Sequence, residues 1–367
     1  MHSRSHKLKL METTITAVRE TTISELLELA IAGLESMYDS EQRLFCHRLI
    51  QTPAGMVREG ISQRYTVMTV LGLLRARAAG LRIPFDIEAT VDALLSDTKW
   101  VDNLGDLGLL LWLAVIGGVD EQRFYARFDW LSALERYADA RSRSTMELSW
   151  LLTGLSQARI ADKYRNLPPL AQRTYRLLCA NQGDYGLFGH SAKWHSLKGM
   201  VRGRIGSFAD QVYPIIAMSL YSQAFGIKAA CERALRCGEA ICNLQGSMGQ
   251  WWWHYDSRTG RVVEHYPAYS VHQHAMAPMA LLALKDASGV DFASYIGNGL
   301  EWISGANELQ QDLKDNSANV VWRCIRPTNT HLGRVRSLAG KTVTATPMQV
   351  LKECRPYELG WLLYAFA

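Results

Sequence analysis

The sequence predicts an all-α protein, an (α/α)6 toroid in which six inner helices alternate with six outer helices. Apolar residues recur at spacings of three and four along the 367-residue chain, whereas β-type alternation is scarce. Segments that are apolar all round alternate with amphipathic segments, and only an interior layer suits the first kind. Related segments also repeat along the chain, as in folds whose helical hairpins bury their apolar faces against their neighbours.

The predicted inner helices share an acid, a leucine and a small residue before an apolar block. Three segments with this pattern align without gaps, and they begin at Asp106, Glu147 and Glu358. The small residue permits a close approach of neighbouring helices. Three further apolar segments complete the inner layer: residues 63–74, 208–225 and 272–284.

The predicted outer helices are the amphipathic stretches in between, near residues 24–37, 86–96, 122–138, 168–179, 227–243 and 292–305. Ser24, with Glu25 in the first turn, is a typical helix start. No long linker rich in Ser, Gly or Pro divides the chain. We therefore expect a flexible arm over residues 1–20 and one toroid domain over residues 21–367, with long loops over one mouth.

Composition limits the classes of function. The 40 Lys and Arg against 35 Asp and Glu leave a net charge of +5, which is too small for a general nucleic-acid-binding protein. Seven cysteines form no Cys-x-x-Cys pair, and their odd number argues against a complete disulfide framework. No apolar run is typical of a signal peptide or a membrane span, so we expect a cytoplasmic protein. Peripheral membrane contact and the oligomeric state stay open.

A second repeat joins glutamine, glycine and an aromatic residue at offsets 0, 4 and 6. Its clear copies run from Gln182 to Phe188 and from Gln245 to Trp251, and a weaker copy begins at Gln51. A glutamine amide can bridge a helix end, glycine allows a tight turn, and the aromatic ring covers the junction. We expect each copy to join an outer helix to the next inner helix.

The copy from Gln245 to Trp251 resembles the QW motif of the squalene–hopene and oxidosqualene cyclases. These enzymes belong to the terpenoid cyclase and protein prenyltransferase superfamily, and the resemblance covers the repeat layout over residues 51–285. It implies an α/α toroid and isoprenoid chemistry. The chain has no Asp-x-Asp-Asp, no Asp-Asp-x-x-Asp and no Asp-x-Cys zinc site, so none of the family's catalytic residues carries over.

The N-terminal ends of parallel inner helices surround one mouth of a toroid, and the repeat alignment places polar residues there. Like charges around a concave site raise the pKa of some carboxyl groups and produce general acids, although capping of the helices explains the same acids. Asp210 is the leading candidate, because it starts an apolar helix with Tyr213 one turn on. The set at the mouth is Arg64, Asp106, Glu147, Asp210, His272 or His274, and Glu358.

The three consecutive tryptophans belong to a predicted hairpin, residues 250–256 and 263–274, over the same mouth. Alternation places Trp251, Trp253 and Tyr255 on one face. The other face carries Trp252, His254 and Asp256. We predict proton transfer by His254 and Asp256 beside walls formed by the tryptophans, Tyr213 and Tyr266. Such walls bind carbocations through cation–π attraction, and they also stack on sugar rings.

Two connections, residues 186–206 and 316–352, contain Arg and Lys but no acid. Their guanidinium groups suit a phosphate or a carboxylate, and the predicted substrate-binding residues are Arg202, Arg204, Arg323 and Arg355. His272 and His274 miss the spacing of a helical metal pair, so no metal site is predicted. No cofactor is predicted, apart from Mg²⁺ if the substrate is a diphosphate.

Three functions are compatible with these residues, and each acts on a hydrophobic or acidic small molecule. The leading hypothesis is a noncanonical isoprenoid cyclase, in which Asp210 or another acid of the mouth protonates an alkene or epoxide and His254 or His272 accepts the final proton. The alternative is a carbohydrate-active toroid (glycoside hydrolase, lyase or epimerase) in which two carboxylates act on an acidic sugar. The third is a non-catalytic binding toroid whose acids only cap helices.

Overall fold

The structure, a computed structural model, describes residues 22–130, 132–134, 143–163, 167–191, 203–328 and 347–367. The predicted arm over residues 1–20 lies outside the described residues, as do parts of both basic connections. None of the described helices is both long enough and apolar enough to cross a membrane.

Helices form two concentric layers. The outer helices are α1 (22–37), α3 (Ile87–Ser96), α5 (Glu121–Arg127), α7 (Pro168–Cys179), α9 (Lys228–Asn243) and α11 (Ala293–Ile303). The inner helices are α2 (Gln63–Ala78), α4 (Leu104–Ile116), α6 (Thr145–Ile160), α8 (Ala209–Phe225), α10 (Ala277–Ser288) and α12 (Pro356–Phe366). A π-helical turn, His272–Met276, leads into α10. Each inner helix packs against the next, and α12 packs against α2, so the ring closes and the predicted (α/α)6 toroid is confirmed.

Glycines explain how closely the inner helices approach. A β-carbon on Gly108 would lie 2.3 Å from the Leu151 backbone nitrogen, and one on Gly360 would lie 2.5 Å from the Thr69 α-carbon. Real β-carbons do not tolerate such distances, so α4 meets α6, and α12 meets α2, only because both residues lack a side chain. The small residue of the inner-helix pattern therefore has the predicted role.

Side-chain caps determine where three inner helices begin. Ser62 accepts a hydrogen bond from the Tyr65 backbone, Asn103 from the Asp106 backbone and Ser144 from the Glu147 backbone. Each cap satisfies an N–H group that has no partner within its helix. The first turns of these helices are thereby held in register around the mouth.

Short antiparallel strands connect the helices. They are β1 (Tyr38–Asp39), β2 (Leu44–Thr52), β3 (Gly55–Ile61), β4 (Ile205–Ser207), β5 (His254–Asp256), β6 (Arg261–Glu264), β7 (Ala268–Tyr269), β8 (Lys314–Asp315), β9 (Val320–Val321), β10 (Cys324–Pro327), β11 (Met348–Leu351) and β12 (Glu353–Cys354). They pair as β1-β2-β12 with β3 beside β2, β11-β10-β7, β4-β5-β6 and β8-β9. The weaker repeat copy was wrong, because Gln51 and Gly55 lie in the hairpin of β2 and β3 and pair with Met56 and Thr52.

The two clear glutamine turns are confirmed, and the structure shows how they work. The Gln182 amide donates to the glycine carbonyl of its own turn at 2.9 Å and to the Arg233 carbonyl of α9 at 3.0 Å. The Gln245 amide makes the equivalent bonds within its turn and to Tyr295 of α11, both at 3.0 Å. Each glutamine therefore joins its turn to the next outer helix.

A second pair of glutamines, which the sequence analysis missed, holds the aromatic residue of each turn. Gln211 of α8 accepts from the Phe188 backbone N–H and donates to the Phe188 carbonyl, both at 2.8 Å. Gln273 does the same for Trp251, at 2.9 and 3.2 Å. These pairs lie 22 and 23 residues apart, so no local pattern in the sequence indicates them.

Buried His274 makes the stability of the fold depend on pH. Burial is the main cause that lowers its pKa from 6.5 to about 4. Below pH 6.5 the unfolded chain binds a proton that the folded chain does not, so folding loses stability as the pH falls from 6.5 towards 4. This single group contributes a loss of about 2–3 kcal/mol.

We expect His274→Leu to remove this loss. Urea unfolding at several pH values between 7 and 4 should show that the stability of the variant, relative to the wild type, rises as the pH falls. The exposed His265 provides the control, and His265→Gln should track the wild type. A constant difference between His274→Leu and the wild type at every pH would contradict the assignment.

Candidate functional site

A cavity of about 290 Å³ lies where the inner helices begin. Five of the six inner segments contribute residues from their first two turns. Aromatic rings, methionines, two arginines and a histidine dominate its wall. The described lining residues are Arg64, Tyr65, Met68, Met146, Trp150, Ser207, Ala209, Tyr213, Trp253, Tyr269, Val271, His272, Met276, Arg323 and Tyr357.

Arg64 joins this wall to the predicted acid Asp106. Its Nε and Nη2 atoms donate to the two carboxylate oxygens of Asp106 at 2.6 and 2.8 Å, and the Asn103 amide adds a third bond at 3.0 Å. Asp106 is fully buried, and that burial raises the pKa of its carboxyl group while Arg64 opposes the shift. The Arg64 side chain stays 37% exposed, so it separates the acid from the cavity and faces a ligand itself.

Arg323 and Glu358 form the matching pair on the opposite side of α2. Arg323 Nη1 pairs with the buried Glu358 carboxylate, and its Nε lies 3.5 Å from Glu353. The guanidinium also lies 5.1 Å from the centre of the Tyr269 ring. Burial raises the pKa of Glu358, and the Arg323 charge opposes this shift. The pair thus repeats the arrangement of Arg64 and Asp106, with the cation at the cavity and the acid behind it.

Arg355, predicted to bind substrate, lies behind the wall. Its Nη1 donates to the Tyr65 hydroxyl at 2.7 Å, and its Nε donates to Glu353 at 2.7 Å. Tyr65 itself lines the cavity. The structure therefore gives Arg355 a position from which it orients an aromatic side chain of the wall.

Asp210 and Glu147 bond to residues beside their own helix starts. Ser207 donates to Asp210 from its backbone N–H at 2.9 Å and from its hydroxyl at 3.0 Å, and His190 Nδ1 lies 3.4 Å away. Ser144 donates its hydroxyl to Glu147 at 2.9 Å. Ser207 reaches the cavity wall, whereas neither acid is among the described lining residues. Both acids are thus placed as helix caps would be.

The predicted hairpin over the mouth is present, but its tryptophans do not alternate as predicted. Trp253 lines the cavity, whereas Trp251 is fully buried against Phe208, with 5.7 Å between the ring centres. Trp252 packs on the other side against His265. The strand begins only at His254 and its register shifts there, so the tryptophans precede the regular alternation.

The remaining predicted residues hold the hairpin. His254 pairs with Glu264 at 2.8 Å, Arg204 lies 3.4 Å from Asp256, and Tyr266 donates its hydroxyl to Glu308. None of these six residues is among the described residues of the cavity wall. The predicted Arg202 lies outside the described residues.

Tyr213 and His272 are predicted residues that do line the cavity. The Tyr213 hydroxyl accepts a hydrogen bond from the Trp361 indole at 3.0 Å. Burial lowers the pKa of His272 to about 3, so its ring is neutral near pH 7. No three histidines, cysteines or acids of the described residues lie together as metal ligands would.

Most residues of the wall were not predicted, and they share a position relative to the predicted ones. The alignment selected polar residues at one level of the inner helices, but the wall is built largely from their immediate neighbours and from residues one turn deeper. The missed residues are Tyr65, Met68, Met146, Trp150, Ser207, Ala209, Tyr269, Val271, Met276 and Tyr357. Trp150, which belongs to the apolar block of an inner helix, reaches the wall as well.

Comparison with known proteins identifies the fold. No protein-family model matches the sequence, and no curated protein matches it. An unsaturated glucuronyl hydrolase from Bacillus sp. GL1 is similar in structure, with a TM-score of 0.59, 14% identity and 95% of each chain covered. A possible member of glycoside hydrolase family 105 from Salmonella enterica gives 0.57 and 11%, with 94% of this chain and 92% of that chain covered.

An α-1,6-mannanase, GH76A of Salegentibacter sp., is also similar, in complex with α-1,6-mannotetrose. Its TM-score is 0.55 at 11% identity, with 94% of this chain and 97% of that chain covered. Likeness at such low identity supports the toroid fold. It also shows that the resemblance to terpenoid cyclases was wrong, because these toroids are glycoside hydrolases. The glutamine turns therefore indicate this fold, and the prediction of isoprenoid cyclisation was wrong.

Proposed function

We propose that the protein is a carbohydrate-active hydrolase that binds an acidic sugar in the cavity of the mouth. One observation carries this proposal: Arg64 and Arg323 both reach a wall that is otherwise rich in aromatic rings. Aromatic faces stack on the apolar faces of a sugar ring, while a guanidinium fork matches a carboxylate. No acid is among the described lining residues, so the two guanidinium groups are the charged groups that a ligand contacts directly, and they suit an anionic group.

The size of the cavity and the named activities of similar structures support the same proposal. A volume of about 290 Å³ suits one sugar unit better than a long chain. One similar structure is named an unsaturated glucuronyl hydrolase responsible for the degradation of glycosaminoglycan, and another is named an unsaturated glucuronyl hydrolase specific for heparin. Their substrates carry the carboxylate that two arginines would bind.

Hydrolysis needs a proton donor, and Asp106 is our candidate. Its pKa is already raised by burial, and Arg64 is the group that holds the pKa down. A substrate carboxylate that binds Arg64 competes with Asp106 for the guanidinium. Binding would then uncover Asp106 and raise its pKa further, which favours the protonated form that a general acid requires.

The first experiment tests the substrate class. We expect the protein to cleave oligosaccharides that end in an unsaturated glucuronyl residue, measured as loss of ultraviolet absorbance and by mass spectrometry of the products. Neutral α-1,6-mannotetraose is the matched control and should remain intact. Absence of cleavage of every acidic oligosaccharide by the folded protein would reject the hydrolase proposal.

The second experiment separates proton donation from positioning. Asp106→Asn should lower kcat by about 100-fold or more, because a positioned general acid contributes about 10²–10⁴. Glu147→Gln is the control. Glu147 is another acid of the mouth, but it accepts its hydrogen bond from Ser144 rather than from Arg64. If Asp106→Asn raises KM and leaves kcat unchanged, Asp106 only orients Arg64, and the donor is another group.

A second candidate is a non-catalytic protein that binds the same sugar. It is favoured by the observation that all four acids of the mouth are engaged: Asp106 with Arg64, Glu358 with Arg323, Asp210 with Ser207 and Glu147 with Ser144. Isothermal titration with the acidic oligosaccharides distinguishes the two. Binding without turnover would favour this candidate, and turnover would exclude it.

A further inference from the structure

Two polar side chains of the cavity wall are almost entirely buried, and each has a hydrogen-bond donor or acceptor without a partner among the described residues. Tyr213 is 4% exposed and His272 is 6% exposed, and they come from neighbouring inner segments. His272 Nδ1 has no hydrogen-bond partner among the described residues. The Tyr213 oxygen accepts from the Trp361 indole, which leaves its own hydrogen to donate. Buried polar groups are normally paired, so these two positions of the cavity wall are suited to a ligand that brings the partner of each.

The charge state of His272 indicates what that partner is. Because burial keeps its ring neutral at physiological pH, one ring nitrogen donates a hydrogen bond and the other accepts one. A carboxylate only accepts hydrogen bonds, and the arginines of the wall offer it charge as well. A hydroxyl, by contrast, can accept a hydrogen bond from Tyr213 and can donate one to the unprotonated nitrogen of His272.

We propose that His272 and Tyr213 each bind an uncharged hydroxyl group of the ligand and determine specificity for it. This rests on the proposed function, in which Arg64 and Arg323 bind the ligand's carboxylate. The local backbone supports the assignment, because His272 opens the π-helical turn His272–Met276. Such turns inside helices are found frequently at functional sites, where they redirect a side chain.

Three probes test the proposal by isothermal titration: methyl glucuronide, methyl glucoside and cyclohexanecarboxylate. The first carries hydroxyls and a carboxylate, the second only hydroxyls, and the third only a carboxylate. His272→Phe and Tyr213→Phe should each weaken binding of the two sugars by about 10-fold and leave cyclohexanecarboxylate unchanged. Tyr221→Phe removes the hydroxyl of another buried tyrosine of α8, one that is not among the described lining residues, and should leave all three affinities unchanged.

Each alternative outcome has a distinct meaning. Sugar affinities that equal the wild type in both phenylalanine variants would overturn the hydroxyl contact, and so would a parallel loss for cyclohexanecarboxylate. If His272→Phe fails to fold, His272→Gln replaces it and should retain part of the preference for sugars. A wild-type protein that binds methyl glucuronide no better than methyl glucoside contradicts the acidic-sugar proposal, while the Tyr213 and His272 variants still decide the hydroxyl contact. Failure of all three probes to bind overturns both.

Discussion

Replacing Arg323 with methionine is expected to lower the free energy of unfolding by about 3–5 kcal/mol at neutral pH, because it leaves a buried carboxylate without its partner. The Arg323 side chain is 12% exposed and Glu358 is fully buried. Without the guanidinium, burial, which raises the pKa of Glu358, loses its main opposing charge and is opposed mainly by the backbone N–H and the charge of Arg355. The loss should therefore shrink as the pH falls and Glu358 takes up a proton.

Urea unfolding at pH 7.5 and pH 5 measures this effect. Adding Glu358→Gln to Arg323→Met removes the unpaired charge and should restore most of the lost stability. Arg77→Met is the control, because the exposed pair of Arg77 and Glu88 should contribute at most about 1 kcal/mol. Equal losses in the single and double variants would show that the ion pair is not the cause.

Replacing Gly360 with valine should destabilise the fold by about 3 kcal/mol or more, because overpacking of a close helix contact forces the helices apart. A β-carbon there meets the backbone of Thr69, and the Gly360 carbonyl itself lies 1.9 Å from where a β-carbon on Gly72 would be. Neither contact can be relieved by rotating a side chain. Gly360→Ala should give a smaller loss in the same direction, although alanine favours a helix by about 1 kcal/mol over glycine.

Ser149→Ala provides the matched control, since residue 149 occupies the same place in the aligned segments and already carries a β-carbon. Its hydroxyl donates to the Thr145 carbonyl of its own helix at 2.7 Å, so we expect a loss of no more than about 1 kcal/mol. Thermal and urea unfolding of the three variants would test the ranking. A loss for Ser149→Ala as large as that for Gly360→Val would contradict the role of the glycine.

The layers of the toroid were predictable because the burial of a helix determines the spacing of apolar residues within that helix. An inner helix is apolar all round, an outer helix is apolar on one side, and both patterns extend over three or four turns. The start of the inner helix at Asp106 is similarly local, since Asn103 caps it from three residues away. The β2–β3 hairpin was missed because its Gln51 and Gly55 imitate the spacing of a turn whose partners lie elsewhere.

The candidate site was predictable only as a region. The repeat alignment placed Arg64 and His272 at one mouth, and both line the cavity, yet it also selected Asp106 and Glu358, which lie behind the arginines. Adjacent residues on a helix point about 100° apart, so a shift of one position turns a side chain from the cavity to a neighbouring helix. A repeat alignment shows how far along its helix each residue lies, but it does not show in which direction around the helix axis the side chain points.

Sequence patterns thus specify which segments are helices, which layer each occupies and which ends meet. The identity of the wall depends on contacts between residues far apart in the chain, such as Arg323 with Glu358 and Trp361 with Tyr213. Those contacts decide whether an acid faces a ligand or an arginine, and therefore whether the cavity attracts a cation or an anion. Apolar periodicity is a property of one helix, whereas the electrostatic character of a cavity exists only after all the helices have packed.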